Sequence, residues 1–200
     1  MSTTPTPPVT CDVPVFFSTT EGQTRRIAER LAGVLREHGL SSRTIDLGSR
    51  EADRVDWSRV RGAIVGASLH AGKHQSVART FARSHAAALT RVPSAFFSVS
   101  LSANSSNPDE REAARRLADE FPAGCGWQPA IVQPLAGRLA YTQYGFLKRQ
   151  ILKRIARKEG APTDTSRDYE FTNWEKVDRL AQALGGVIRE HAAKRQIAAA

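Results

Sequence analysis

Val13-Pro14-Val15-Phe16-Phe17-Ser18-Thr19-Thr20-Glu21-Gly22-Gln23-Thr24 is the stretch that decides the fold. Its first five residues are apolar without alternation, as in a strand buried on both faces. Hydroxyl residues and one glycine follow. The run Gln23–His38 then carries Ile27, Leu31, Val34 and Leu35 at i, i+4, i+7 and i+8, with arginines elsewhere. That is the stripe of an amphipathic helix, and Gly39 supplies its stop. A buried strand passing through a short polar turn into a helix opens a β-α-β unit.

The same alternation continues outward. Arg43–Leu47, Gly62–Ala67 (GAIVGA), Ser94–Ser100 (SAFFSVS) and Ala130–Leu135 read as four more strands, the second of them small and apolar throughout. Between them lie helical patterns over Ser76–Leu89 and Pro108–Phe121, the latter entered through Asn107 as cap and Pro108 at the first helical position. A last helix, Asn173–Ala192, opens with the capping box Thr172-x-x-Glu175 and carries the stripe Val177, Leu180, Ala181, Leu184, Val187 and Ile188. Strands alternating with helices predict an α/β fold, a doubly wound five-stranded parallel sheet with helices on both faces. Residues 1–12 read as a flexible N-terminal arm, 13–192 as one domain and 193–200 as a C-terminal tail. The segment from about 137 to 171 is far longer than a strand-to-helix connection needs and reads as an insertion.

Composition narrows the class. The 200 residues are 40% hydrophobic and 24% charged, which suits a globular protein and excludes collagen-like and disordered chains. Cys11 and Cys125 stand far apart, so they form neither a metal-ligand pair nor a disulfide framework, and they fit a reducing cytoplasm. No apolar run approaches the roughly 18 residues of a membrane-spanning helix, and the Thr/Pro-rich start is no secretory signal.

The net charge of +9 is concentrated. Between Gly137 and Gly160 seven basic residues face one acid, leaving the remainder nearly balanced. Within it, Gly145–Lys158 (GFLKRQILKRIARK) sets Leu147, Ile151, Leu152 and Ile155 on one side of a helical wheel and Arg149, Lys153, Arg154 and Arg157 on the other. A basic amphipathic helix of this kind suits an anionic membrane surface. It also suits packing on its own sheet, or a contact between copies of the chain in a homo-oligomer. Stacking of bases on Tyr141, Tyr144 and Phe146 is the weaker alternative, because nothing else in the chain resembles a nucleic-acid module.

Open parallel sheets bind ligands beyond the carboxyl ends of their strands. Three loops occupy such positions. Ser18, Thr19, Thr20, Glu21, Gly22, Gln23 and Thr24 bring hydroxyls and the free amides of a helix N-terminus, a cradle for a phosphate. It lacks the Gly-Lys-Ser/Thr of a Walker loop and the glycine triplet of a dinucleotide fingerprint. A monophosphate held without a lysine fits flavin mononucleotide (FMN). Thr20-x-x-Gln23 reads equally well as an ordinary capping box, and both readings stand at this point. The second loop, Ser68, Leu69, His70, Ala71, Gly72 and Lys73, is small enough to let backbone approach a flat ring. The third, Ser98, Val99, Ser100, Leu101 and Ser102, is polar and begins at a strand end. Either of these two is equally compatible with a plain turn.

Taken together, these residues resemble a known family. Phe17–Thr24 looks like the phosphate loop of flavodoxin-like proteins. Gly66-Ala67-Ser68 with Gly72 and His74, Pro93–Val99, Ala136-Gly137-Arg138-Leu139, Thr163-Asp164-Thr165 and Thr172-x-Trp174-Glu175 narrow the resemblance. From about Val13 to Leu184 the chain resembles the menaquinone-dependent protoporphyrinogen oxidases of bacterial haem synthesis. The resemblance implies a flavodoxin-like fold, bound FMN, protoporphyrinogen IX as substrate, and a quinone (menaquinone or ubiquinone) as electron acceptor. It places the protein in the cytoplasm against the inner face of the cell membrane. Arg149, Lys153, Arg154 and Arg157 would meet that membrane or the substrate propionates. No side chain identifies itself as an acid or base. The competing functions are a nicotinamide-fed flavin quinone reductase, a flavodoxin-type electron carrier (disfavoured by the basic charge), and an interaction module without cofactor.

Overall fold

A computed structural model of the chain describes residues 7–139, 141–143 and 164–198. Five parallel strands form the sheet: β1 (Val13–Ser18), β2 (Ser42–Asp46), β3 (Ala63–His70), β5 (Ser94–Ser100) and β6 (Ile131–Ala136). A two-residue strand, β4 (Lys73–His74), folds back antiparallel on the end of β3. The order across the sheet is β2-β1-β3-β5-β6, so the chain starts in the middle, steps to one edge and then winds to the other. That reversal lies between β1 and β3, whose carboxyl ends therefore flank an open crevice.

Continuous apolar runs make β1, β3 and β5 the central strands, and every residue of β1 and of β5 is buried. Helices α1 (Gln23–Glu37) and α5 (Trp174–Ala198) cover one face, where Ile27, Leu31, Leu35, Val177, Leu184 and Ile188 meet Val13, Val15, Phe17 and Phe97. Helices α2 (Ser76–Ser84), α3 (Ala86–Arg91) and α4 (Pro108–Ala123) cover the other, closing over Phe16, Val65 and Phe96 with Ala78, Phe81, Leu89 and Phe121. Gly66 is small for a physical reason. A Cβ there would lie 2.0 Å from the ring of Phe97, which fills the space over β3.

Several elements depart from the sequence reading. The helix expected over Ser76–Leu89 is broken at His85, whose backbone leaves the helix at φ −113° and ψ 14°. Its ring stacks on Phe81 and Trp57 at 4.4 and 5.6 Å, and that aromatic packing sets the break. The last helix continues past Ala192 to Ala198, so most of the expected tail is helical, with Lys194 paired to Glu190 at 2.7 Å. Its cap is Asn173, whose Oδ1 accepts the Lys176 amide at 3.0 Å, and not Thr172. Part of the expected arm is tied down: Val9 is buried and bridges Val55, and Asp12 holds Ser41.

The insertion leaves and returns through one small ribbon, β7 (Arg138–Leu139) against β8 (Tyr169–Glu170). Leu139 and Tyr141 are buried there with Leu101, Tyr169 and Phe171 packed on them. The basic segment 145–158, with Arg149, Lys153, Arg154 and Arg157, lies outside the described residues. Among the described residues no helix is long and apolar enough to cross a membrane.

Candidate functional site

At the end of β1 the Ser18 hydroxyl is buried and has no hydrogen-bond partner among the described residues. Thr19 Oγ1 accepts the Gly22 amide at 2.9 Å, closing the turn. Gly22 then takes φ +84°, a left-handed conformation that glycine adopts without strain, and α1 starts at the next residue with no side chain capping it. The first amides of a helix have no acceptor within it and carry its positive dipole end. The capping-box alternative is not realised. Thr20 Oγ1 accepts from Gln75 Nε2 at 2.9 Å, while Gln23 Nε2 donates to Thr172 Oγ1 at 2.8 Å and to Glu170 Oε1 at 3.2 Å. Thr172 in turn donates to the Ala136 carbonyl, which explains why it does not cap α5.

The second loop is a tight hairpin. β3 runs on to His70, Ala71 (φ 48°) and Gly72 (φ 74°) turn the chain, and β4 returns it. Two successive positive φ values are the signature of a two-residue turn that matches strand twist. The hairpin is pinned from beneath by His74, whose Nε2 shares a 2.8 Å hydrogen bond with Ser98 Oγ. Burial, reinforced by the positive charge of Arg79, pushes the His74 imidazole down to about 4. It is a neutral structural histidine between the rings of Phe96 and Phe121. Ser68, on the β3 side of the hairpin, has a second buried hydroxyl without a partner.

After β5, Ser100 Oγ accepts the Ala103 amide at 3.1 Å and Ser105 Oγ donates to Glu110 Oε2 at 2.6 Å, fixing the third loop against the first turn of α4.

Together these loops enclose a cavity of about 490 Å³, within the range of small-molecule sites. Of the residues singled out by sequence, Thr19, Glu21, Gln23, Thr24, Ser68, Leu69, His70, Ala71, Gly72, Val99, Ser100, Leu101 and Ser102 line it. Ser18, Thr20, Gly22 and Lys73 stand outside its lining, and Ser98 is turned away to His74. Sequence reasoning missed the far wall: Glu110, Ala113, Ala114 and Leu117 of α4, and Gly137, Arg138 and Leu139 at the base of the insertion. The apolar stripe of α4 was the available signal for the first group. Arg138 was visible in the sequence as one charge in a basic stretch and within the motif Ala136-Gly137-Arg138-Leu139, neither of which placed it at the cavity.

The cavity-lining hydroxyls of Thr19, Thr24 and Ser68, the uncapped start of α1 and the apolar walls suit FMN: polar groups at the phosphate end, small and aliphatic surface for a ring. Fold and site thus define a flavodoxin-like flavoprotein.

The flavodoxin domain profile matches residues 14–166. Protoporphyrinogen IX dehydrogenase (quinone) of Escherichia coli K12 is 32% identical over 171 residues, 85% of this chain and 92% of that protein. Flavodoxin 1 of Bacillus cereus superposes with a TM-score of 0.51 at 18% identity, over 86% of this chain and 95% of that one. The rubredoxin:oxygen oxidoreductase of Desulfovibrio gigas superposes at 0.57 and 14% identity over 90% of this chain, which spans 37% of that larger protein. The chain belongs to the flavodoxin-domain family, in the branch that contains the quinone-dependent protoporphyrinogen IX dehydrogenases.

Proposed function

We propose that this protein is an FMN-dependent oxidoreductase that converts protoporphyrinogen IX to protoporphyrin IX and passes the electrons to a quinone. The observation that carries the reading is the cavity at the strand-order reversal, lined by Thr19, Thr24 and Ser68 beside the uncapped N-terminus of α1. Bound there, FMN supplies the hydride and electron transfer; the protein binds, orients and excludes water. The first amides of α1 with the Ser18 and Thr24 hydroxyls hold the phosphate end. Leu69, Leu101 and the turn at Ala71–Gly72 supply the surface for the ring, and the His74–Ser98 bond keeps that turn in place. Six hydrogens leave the substrate, one from each of the four methylene bridges and two from ring nitrogens, so three quinones end as hydroquinone.

The segment 145–158 is the proposed contact with an anionic membrane in which the quinone resides. Its support is the one-sided distribution of Arg149, Lys153, Arg154 and Arg157 and the return of the insertion at the cavity wall. The test of the function is a visible spectrum after FMN addition and desalting, followed by anaerobic protoporphyrinogen with menadione. Retained flavin and porphyrin fluorescence above the autoxidation control are expected. Retained flavin without porphyrin formation transfers the reading to a nicotinamide-fed quinone reductase or an electron carrier.

A further inference from the structure

Arg138 stands in the wall of the cavity with its side chain only 20% exposed and its Nε buried without a hydrogen-bond partner. Its nearest carboxylate, Asp168, is 3.9 Å from the guanidinium, beyond hydrogen-bond reach. Asp168 is already engaged, accepting from the Thr142 amide at 2.9 Å and the Thr142 hydroxyl at 2.8 Å. A guanidinium carries five donors in a rigid fork and is always charged, so one with an unpartnered Nε and its counter-ion as far as 3.9 Å has donors left for a second anion.

The direction of that anion follows from the ribbon. Arg138 is registered directly opposite Glu170, and residues opposite one another in an antiparallel pair project from the same face. Glu170 shows where that face points: its carboxylate accepts from Gln23 Nε2 at 3.2 Å and from Arg26 at 2.8 Å, in the first turn of α1. The phosphate cradle itself lacks a cation. Ser18–Thr24 contains neither lysine nor arginine and includes the acid Glu21. The two arginines that follow are paired, Arg25 with Asp46 at 3.3 Å and Arg26 with Glu170. Among the described residues lining the cavity, Arg138 is the one lysine or arginine.

We infer that Arg138, delivered from the base of the insertion, is the cationic ligand of the phosphate monoester of the bound flavin. The inference rests on the reading of the cavity as an FMN site and adds to it a residue outside the phosphate loop. The guanidinium fork is able to take two phosphate oxygens where the loop offers hydroxyls and amides.

The test is flavin fluorescence quenching on the flavin-free protein, titrated in parallel with FMN and with riboflavin, which lacks the phosphate. Arg138→Gln is expected to weaken FMN at least tenfold, to leave riboflavin within twofold, and to flatten the salt dependence of FMN affinity. Arg138→Lys keeps the charge without the fork, and its preference for FMN over riboflavin is expected between those of wild type and R138Q. An R138Q protein with the wild-type preference overturns the inference, and so does one that loses both flavins equally. If the glutamine variant does not fold, a lysine variant with the wild-type preference overturns it. Titration with protoporphyrin IX and its dimethyl ester supplies the remaining arm. If R138Q keeps FMN but loses discrimination of the dicarboxylate from the ester, the arginine serves substrate and the phosphate assignment fails. A wild-type protein that binds neither flavin overturns the FMN reading itself, whereas binding that ignores Arg138 overturns this inference alone.

Discussion

Ser18 and Ser68 lie on adjacent strands, and neither buried hydroxyl has a partner among the described residues. A buried polar group without a partner costs about 1–3 kcal/mol, which a ligand can recover. Replacing Ser18 by alanine is therefore predicted to stabilise the flavin-free protein by roughly 1 kcal/mol and to weaken FMN about five- to tenfold. Urea unfolding and flavin titration on one preparation check both halves; a destabilised variant with unchanged flavin affinity would mean a structural role. His74 yields a second prediction. Its imidazole titrates near 6.5 when unfolded and is pushed down to about 4 in the native protein, first by burial and then by Arg79. Above pH 6.5 both states are neutral and the full stability is present. As pH falls from 6.5 towards 4 the unfolded chain takes up a proton that the native state refuses, and stability is lost. By pH 4.5 the loss attributable to this residue is roughly 2–3 kcal/mol. Urea midpoints of wild type and His74→Gln across that window should diverge; parallel curves would remove His74 from the acid sensitivity.

Elements were legible wherever periodicity carried them. Continuous apolar runs and 3.6-residue stripes placed the five parallel strands and the long helices to within a few residues. What escaped was decided by tertiary contacts. His85 breaks a helical pattern because its ring is held by Phe81 and Trp57, two partners that local sequence cannot bring together. Thr172 and Asn173 are both good caps, and Thr172 is diverted to the Ala136 carbonyl and Gln23. β7 and β8 are two residues each and about thirty apart in sequence, too short for any alternation to register. The site divides similarly: loops at strand ends followed from the strand assignment, whereas the wall from α4 and Arg138 needed the folded chain. β3 carries a prediction of its own. Gly66→Ala places a methyl inside the Phe97 ring, so the ring must shift within a filled core. The expected cost is about 1–3 kcal/mol, read as a lower urea midpoint with an unchanged slope. An unaffected midpoint would show that the Phe97 ring can move without loss.

At the scale of the whole molecule, charge and function are separated in space along the chain. The net charge of +9 belongs mostly to residues 137–160, while the sheet and its helices are nearly balanced. A field confined to one insertion orients a protein on an anionic surface, where evenly spread charge would not. The insertion's two ends meet at β7 and β8, and Leu139 and Arg138 there belong to the cavity wall. Where the insertion binds a membrane, as proposed, its two ends tie that contact to the cavity wall through the chain. Each basic residue near such a surface contributes about 1 kcal/mol. Reversing Arg149, Lys153, Arg154 and Arg157 to glutamate is predicted to lower partitioning into vesicles rich in phosphatidylglycerol by at least a thousandfold. Raising salt should release the wild type in the same way, because screening shortens the reach of the charges to a few ångströms near 1 M. FMN affinity should be unchanged in the reversed variant, since none of its four positions belongs to the loop Ser18–Thr24 or is Arg138. Activity with a water-soluble quinone should persist, while activity with a quinone embedded in vesicles should fall with partitioning. If the reversed variant still sediments with the vesicles, the attachment lies elsewhere on the molecule and the insertion's charge must be explained by substrate or by a second copy of the chain.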